Sequence, residues 1–323
     1  MMNNPLQELL SAASPLLIDG GMGTMLMAAG LEQGNPPEEW NITHPDKIRA
    51  IHRDYVAAGA RLLLTNSFGG TRFRLGLHHM QDRAPELNRA AAALARAEAD
   101  AAPQPVLVAG SMGPTGELLE PLGTMTFEQA KDAFAEQAAA LAKGGVDLLW
   151  IETMSDLNEV KAAIEGARAA CDLPITATMT FDTNGRTMMG VTPVLALQTL
   201  RQYNLAAIGA NCGNGPAEIE AVIQAMRAAD SGITLIAKSN AGLPKWVNGE
   251  LTYDGTPEVM ADYACRARVL GADVIGACCG STPAHIRAMR RALSAPPDET
   301  PVIVTQPADT PAAPSRRRRR RRA

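Results

Sequence analysis

Cys278 and Cys279 are adjacent, and a third cysteine, Cys212, stands well upstream in the chain. Adjacent cysteines rarely bridge each other, so the pair needs another use. Each of the three follows a strand-like apolar run and lies close to a glycine, in Asn-Cys212-Gly and Ala-Cys278-Cys279-Gly. Thiolates select a soft or borderline metal such as zinc over magnesium or calcium. A catalytic zinc keeps one of its four tetrahedral positions open. Three protein thiolates therefore leave one corner for a substrate. A thiol arriving there would lose its proton to the metal's charge and become a nucleophile toward an electrophilic methyl carbon. The competing reading is that a free cysteine is a small buried hydrophobe. Cys171 and Cys265, at the end and in the interior of helical stretches, fit that reading. The three others are not a C-x-x-C arrangement, so spacing alone leaves both readings open.

Two acids end strand-like runs in the same way. Asp19 closes Pro15-Leu-Leu-Ile-Asp19, and Glu152 closes Val146-Asp-Leu-Leu-Trp-Ile-Glu152. Both could accept charge-assisted hydrogen bonds from the ammonium of an amino acid. Equally, Asp19 could shape the turn into the following glycines, and Glu152 could pair with an arginine. Ser67 ends another such run, Arg61–Ser67.

These residues need a scaffold that gathers strand ends. Eight short runs alternate with longer alanine-rich stretches of helical period. Besides the three just given, the runs are 106–111, 174–180, 206–212, 234–240 and 273–278. Helices are expected at 45–58, 85–101, 127–143, 156–170, 216–229, 257–270 and 283–293, several opening on proline and several closing on glycine. Eight strand–helix units predict a (β/α)8 TIM barrel, in which the carboxyl ends of the strands carry the active site. The alternative is an open doubly wound sheet. Asp19-Gly-Gly-Met-Gly23 lacks the G-x-G-x-x-G spacing that such a sheet usually carries after its first strand. The polar stretch 31–43, with Trp40, is long enough to form a lid or wall. The barrel is expected to occupy 1–294. Residues 295–323 are rich in proline, alanine and arginine, and read as a disordered tail.

The 323 residues are 46% hydrophobic, enough for a large core. No apolar run reaches the roughly 18 residues of a membrane span, and no secretion signal is legible at the start. Five cysteines make no disulfide framework. The expected compartment is the cytoplasm. The net charge of −4 includes the seven arginines Arg316–Arg322, so the body is acidic and implies no nucleic-acid face. The arginine run itself reads as a solvated end, with an acidic partner, RNA or a membrane surface as alternatives.

Several stretches together resemble the homocysteine-binding domain of zinc-dependent homocysteine S-methyltransferases. They are Asp19-Gly-Gly-Met-Gly-Thr24, Thr65-Asn-Ser-Phe-Gly69, Ile151-Glu-Thr153, Gly209-Ala-Asn-Cys212, Asn240-Ala-Gly-Leu-Pro244 and Gly276-Ala-Cys-Cys-Gly280 with Thr282-Pro283. That family includes betaine–homocysteine methyltransferase and the first domain of cobalamin-dependent methionine synthase. The resemblance implies that Cys212, Cys278 and Cys279 hold zinc, and that Asp19, Gly20 and Glu152 hold the amino end of homocysteine. Ser67 and Asn211 lie in matching motifs and are carried over as substrate contacts. The implied reaction is methylation of the homocysteine thiolate to methionine. The methyl would come from glycine betaine, from methylcobalamin on a separate corrinoid protein, or from S-methylmethionine. Betaine users are aromatic just after the second-strand motif and the fourth-strand glutamate; this chain has Gly69-Gly70 and Thr153 there. Two rival readings remain: a thiol or metal sensor built on Cys278-Cys279, and a zinc-free barrel binding phosphate at Gly280-Ser281-Thr282.

Overall fold

Side-chain parity along eight parallel strands decides what faces the middle of this molecule. The computed structural model describes residues 4–12, 14–247 and 250–295. The strands are β1 (Leu16–Leu17), β2 (Leu62–Leu64), β3 (Leu107–Met112), β4 (Leu148–Met154), β5 (Ile175–Met179), β6 (Ala207–Cys212), β7 (Leu235–Ser239), β8 (Pro244–Val247), β9 (Glu250–Tyr253) and β10 (Val274–Ala277). The helices are α1 (Pro5–Ala12), α2 (Met22–Ala28), α3 (Trp40–Thr43), α4 (Pro45–Ala58), α5 (Arg72–Gly76), α6 (Ala84–Asp100), α7 (Phe127–Gly144), α8 (Leu157–Ala170), α9 (Pro193–Leu200), α10 (Pro216–Ala229), α11 (Pro257–Val269) and α12 (Pro283–Ser294).

The main sheet runs β1-β10-β7-β6-β5-β4-β3-β2, parallel throughout. Two backbone hydrogen bonds join its ends. Arg61 N–H donates to Leu17 O at 2.9 Å, and Asp19 N–H donates to Leu62 O at 3.2 Å. The sheet thus curls into the expected (β/α)8 barrel. β8 and β9 form a separate antiparallel hairpin between β7 and α11.

Alternate residues of a strand point to opposite faces. Leu62, Leu64, Leu148, Trp150, Ile236 and Val274 pack into one cluster inside the barrel. Leu63, Leu149, Ile151 and Ile275 pack outward with the helices. α1 adds Leu6, Leu9 and Leu10 to the inner cluster and closes the floor. The lower barrel is therefore filled, and open space is left to its carboxyl rim.

The expected helices form within a residue or two of the positions read from the sequence. Gly59 (φ 111°) and Gly145 (φ 96°) end α4 and α7 in the left-handed conformation that glycine takes cheaply. Five helices, α1, α2, α3, α5 and α9, and the hairpin go beyond the sequence reading. α2 starts directly after Gly21, inside a stretch read as a glycine turn. α9 is only eight residues long, yet Thr192 caps it by accepting from Leu195 N–H. The first strand shrinks to two residues. The 31–43 stretch contains a 3-10 turn, Pro37–Glu39, and α3. Among the described residues, no helix is long and apolar enough to cross a membrane. The expected tail, with Arg316–Arg322, lies outside the described residues apart from Ala295.

Candidate functional site

The three thiols meet at the carboxyl rim. Cys212 ends β6, and Cys278 and Cys279 follow β10. β7 lies between these strands, pairing with both. All three sulfur atoms lie within 4.8 Å of one another, and Cys212 Sγ is 3.0 Å from Cys278 Sγ. Among the described residues this is the one group of its kind that could hold a metal ion. Cys171 and Cys265 stand apart, half-buried.

Backbone strain and hydrogen bonds aim the thiols. Cys212 has φ 61° and Thr153, at the end of β4, has φ 62°. Non-glycine residues seldom hold such angles without support. Asn211 supplies it: its Oδ1 accepts from Thr153 N–H at 2.8 Å, and its Nδ2 donates to Thr153 Oγ1 at 2.6 Å. Asn240 links the other sides of the cluster. It accepts from Cys279 N–H at 3.0 Å and donates to Gly213 O at 2.7 Å. Thr24 accepts from Gly280 N–H, and Ser281 Oγ donates to Cys278 O at 2.7 Å. Gly21 N–H in turn donates to Ser281 Oγ. A Cβ on Gly21 would lie 2.7 Å from Cys278 O, and one on Gly20 would lie 2.6 Å from Ser281 Oγ. These two glycines let the β1 loop press against the thiol loop.

The neighbouring thiols hold Cys279 well below the usual thiol range, while the same hydrogen bonding pushes Cys212 well above it. A bound divalent cation is what would let all three ionise together.

Beneath the thiols lies a buried charge cluster. Glu152 Oε1 accepts from Ser111 Oγ at 2.5 Å, and Glu152 Oε2 lies 3.5 Å from Lys238 Nζ. Asp19 Oδ2 accepts from Leu64 N–H at 2.7 Å, but Asp19 Oδ1 is buried with no partner. Burial pushes the Asp19 carboxyl up to about 7 against the opposing pull of Lys238. Burial raises Glu152 as well. For Lys238 burial works downward, yet Glu152, Cys278 and Asp19 hold it well above the usual lysine range.

A cavity of about 280 Å³ opens over this floor. Gly20, Ser67 and Glu152 line it with the three cysteines. Ser67 Oγ already donates to Ser111 O at 2.7 Å. Asp19 and Asn211 are buried and do not line the cavity. Pro36, Pro37 and Glu38 supply part of the rim, as expected for the 31–43 stretch. Trp40 does not: it is buried, and Lys47 Nζ sits 4.5 Å over its ring.

Lys238 and Ser111 went unnoticed in the sequence, and Thr153 and Asn240 stood in matching motifs without a role at the thiols. Parity could have found the first two, since Ala109-Gly-Ser111 and Ile236-Ala-Lys238 put a polar residue on the inward face. The side chains of the stretch read as a phosphate site make internal hydrogen bonds. Ser281 Oγ is committed to Cys278 O and Gly21 N–H, and Thr282 forms a capping box with His285.

Fold and site together define a (β/α)8 barrel whose rim carries a three-thiol centre above a buried acid–lysine cluster. The family model described as homocysteine S-methyltransferase matches residues 16–293, and the chain belongs to that family. Methionine synthase of Mycobacterium tuberculosis is 36% identical over 296 residues, covering 85% of this chain and 24% of that protein. The Mycobacterium leprae methionine synthase is 34% identical over the same shares. The chain thus spans about a quarter of the length of these curated relatives. Among solved structures, the metallated form of the homocysteine methyltransferase MmuM from Escherichia coli superposes with a TM-score of 0.77 at 27% identity, over 89% of this chain and 99% of that one. A methyltransferase from Methanosarcina mazei, 13% identical with a TM-score of 0.58, shares the fold.

Proposed function

We propose that the chain transfers a methyl group to the thiol of homocysteine and releases methionine, with zinc held by Cys212, Cys278 and Cys279. The observation that carries this reading is the convergence of three thiols within 4.8 Å at the mouth of a barrel of this family. Three thiol sulfurs, all within 4.8 Å of one another, have the chemistry and the proximity to share one zinc ion. When bound, zinc supplies the positive charge that keeps the substrate sulfur deprotonated at neutral pH.

The protein's own groups place the rest of the substrate. Asp19 offers a buried carboxylate oxygen without a partner, suited to the substrate ammonium. Glu152 presents a second carboxylate from the cavity wall, oriented by Ser111 and Lys238. Gly20 lines the cavity with backbone alone, and Ser67 offers a hydroxyl lone pair. Asn211 acts one step removed, by fixing Thr153 and the backbone that carries Cys212. The apolar upper wall excludes water around the methyl group. The family's donors, glycine betaine or methylcobalamin on a separate corrinoid protein, would approach from that side. Five free thiols suit a reducing compartment, the cytoplasm.

The test replaces Cys279 with alanine and measures bound zinc and methionine formation. The reading predicts that both are lost. Retained zinc with full activity contradicts it. A thiol sensor, by contrast, would show oxidation-dependent partner binding and no methyl transfer with any donor.

A further inference from the structure

Tyr55 comes from α4 and is completely buried. Its hydroxyl reaches backbone carbonyls of two different loops, Gly21 O at 3.3 Å and Ser281 O at 3.4 Å. Gly21 belongs to the loop after β1, with Asp19 and Gly20. Ser281 belongs to the loop after β10, with Cys278 and Cys279. A phenol carries one hydrogen, so the two carbonyls share it. Both distances are longer than a single O–H···O bond usually shows, as sharing gives. Burial, aided by nearby Asp19, pushes the phenol well above its ordinary range, so the hydroxyl stays protonated and remains a donor.

Other bonds close the same seam. Ala277 N–H donates to Asp19 O at 3.2 Å, Gly21 N–H to Ser281 Oγ at 2.9 Å and Gly280 N–H to Thr24 Oγ1 at 2.9 Å. The segments 19–24 and 277–281 supply all of these themselves. Tyr55 is brought to the seam from outside, by a helix whose Ile48 and Ile51 are packed in the outer core. The seam has no slack. A Cβ on Gly20 would lie 2.6 Å from Ser281 Oγ and 2.9 Å from Tyr55 Oη.

We infer that Tyr55 is a positioning residue that couples the two halves of the site, its shared hydroxyl making the β1 loop at the amino end of homocysteine and the thiol loop at the zinc settle together. The inference rests on the homocysteine methyltransferase reading and adds to it a residue that touches neither ligand. Sulfurs drawn onto a metal fix the backbone from Cys278 to Ser281. The hydroxyl between Ser281 O and Gly21 O passes that order to the loop that carries Asp19 and Gly20. The path is short and contiguous, which is what coupling between two sites needs. It is also reciprocal: whatever zinc gains from homocysteine, homocysteine gains from zinc. The ring of Tyr55 fills space in the core, but only the hydroxyl reaches both carbonyls.

The experiment uses the full chain and Tyr55→Phe, which keeps the ring and removes the hydroxyl alone. The zinc Kd is measured by chelator competition, first without homocysteine and then at saturating homocysteine. The ratio of the two is the factor by which homocysteine tightens zinc. Calorimetry of homocysteine with the metal-free and zinc-loaded chains checks the same factor from the other side.

Tyr55→Phe should cut the tightening factor about fivefold, what one hydrogen bond ordinarily contributes. Ser281→Ala, which removes the other bridge of the seam, should cut it as well. The double variant should lose less than the product of the two, because both belong to one network. A packing role alone would weaken zinc equally with and without homocysteine. An unchanged factor in Tyr55→Phe therefore overturns the inference while the homocysteine reading stands, and so does an unchanged factor in Ser281→Ala. A Tyr55→Phe chain that does not fold overturns it too, since the hydroxyl would then serve the fold and not the site. A native chain whose zinc is not tightened by homocysteine at all is the failure of the underlying reading, and the inference falls with it.

Discussion

Lys238 Nζ stands 3.5 Å from Glu152 Oε2, and both side chains are almost entirely removed from water. The pair sits directly under the thiols. Two carboxylates and three ionisable sulfurs share this space, and Lys238 is the cation that the chain itself places among them. Burying a charge without a partner is far costlier than burying a pair.

Lys238→Met should therefore destabilise the fold by about 3 kcal/mol, the lower end of what breaking a buried pair costs. It should also weaken homocysteine binding, because Glu152 loses the partner that orients it. Chemical denaturation and calorimetry check the two effects. A stability change under about 0.5 kcal/mol, the usual scale of surface substitutions, would show that Glu152 is not held in this way.

Asp19 gives the account a pH dependence of definite sign. Its carboxyl is raised from 3.8 to about 7, so the folded chain keeps a proton that the unfolded chain loses from about pH 4 upward. The resulting stabilisation is fully present below about pH 4 and is lost as pH rises through about 7. Three units correspond to at most about 4 kcal/mol. Unfolding free energies of the native chain and Asp19→Asn, measured from pH 4 to 8, should diverge in slope, with the variant the flatter. Substrate binding runs the other way, since the ammonium needs the carboxylate. The kcat/KM for homocysteine should rise through about pH 7 in the native chain and lose that inflection in Asp19→Asn. Parallel profiles for the two proteins would remove Asp19 from the substrate's reach.

Asn211→Ala removes the two Asn211–Thr153 hydrogen bonds between the end of β6 and the end of β4. Cys212 then loses the support for its left-handed backbone. The zinc Kd, measured by chelator competition, should rise about 10- to 100-fold, the cost typical of removing an outer partner of a metal ligand. Cys171→Ser, remote from the cluster, should leave it unchanged.

Much of this was legible because strands and sites obey parity. The eight apolar runs and the cysteines at two of their ends pointed to a barrel with a thiol rim, and the barrel is what forms. Alternation from Ile236 also puts Lys238 on the inside, but a lysine in a run ending Ser-Asn reads as the polar end of a strand. The role of Asn240 was hidden for another reason. Its two contacts, Cys279 and Gly213, lie far away in sequence and meet only when β6, β7 and β10 are side by side. The β8–β9 hairpin and α9 are short elements, where length gives periodicity too few residues to show. Glu38 looked like one charge in a polar lid. Only the fold turns it into the cavity and buries it.

The most direct test of the central claim is zinc-edge X-ray absorption on the zinc-loaded full chain, before and after homocysteine is added. The account predicts three sulfur neighbours at about 2.3 Å in the free protein and a fourth on addition of homocysteine. A metal with fewer than three sulfur neighbours, or a shell unchanged by homocysteine, would contradict it.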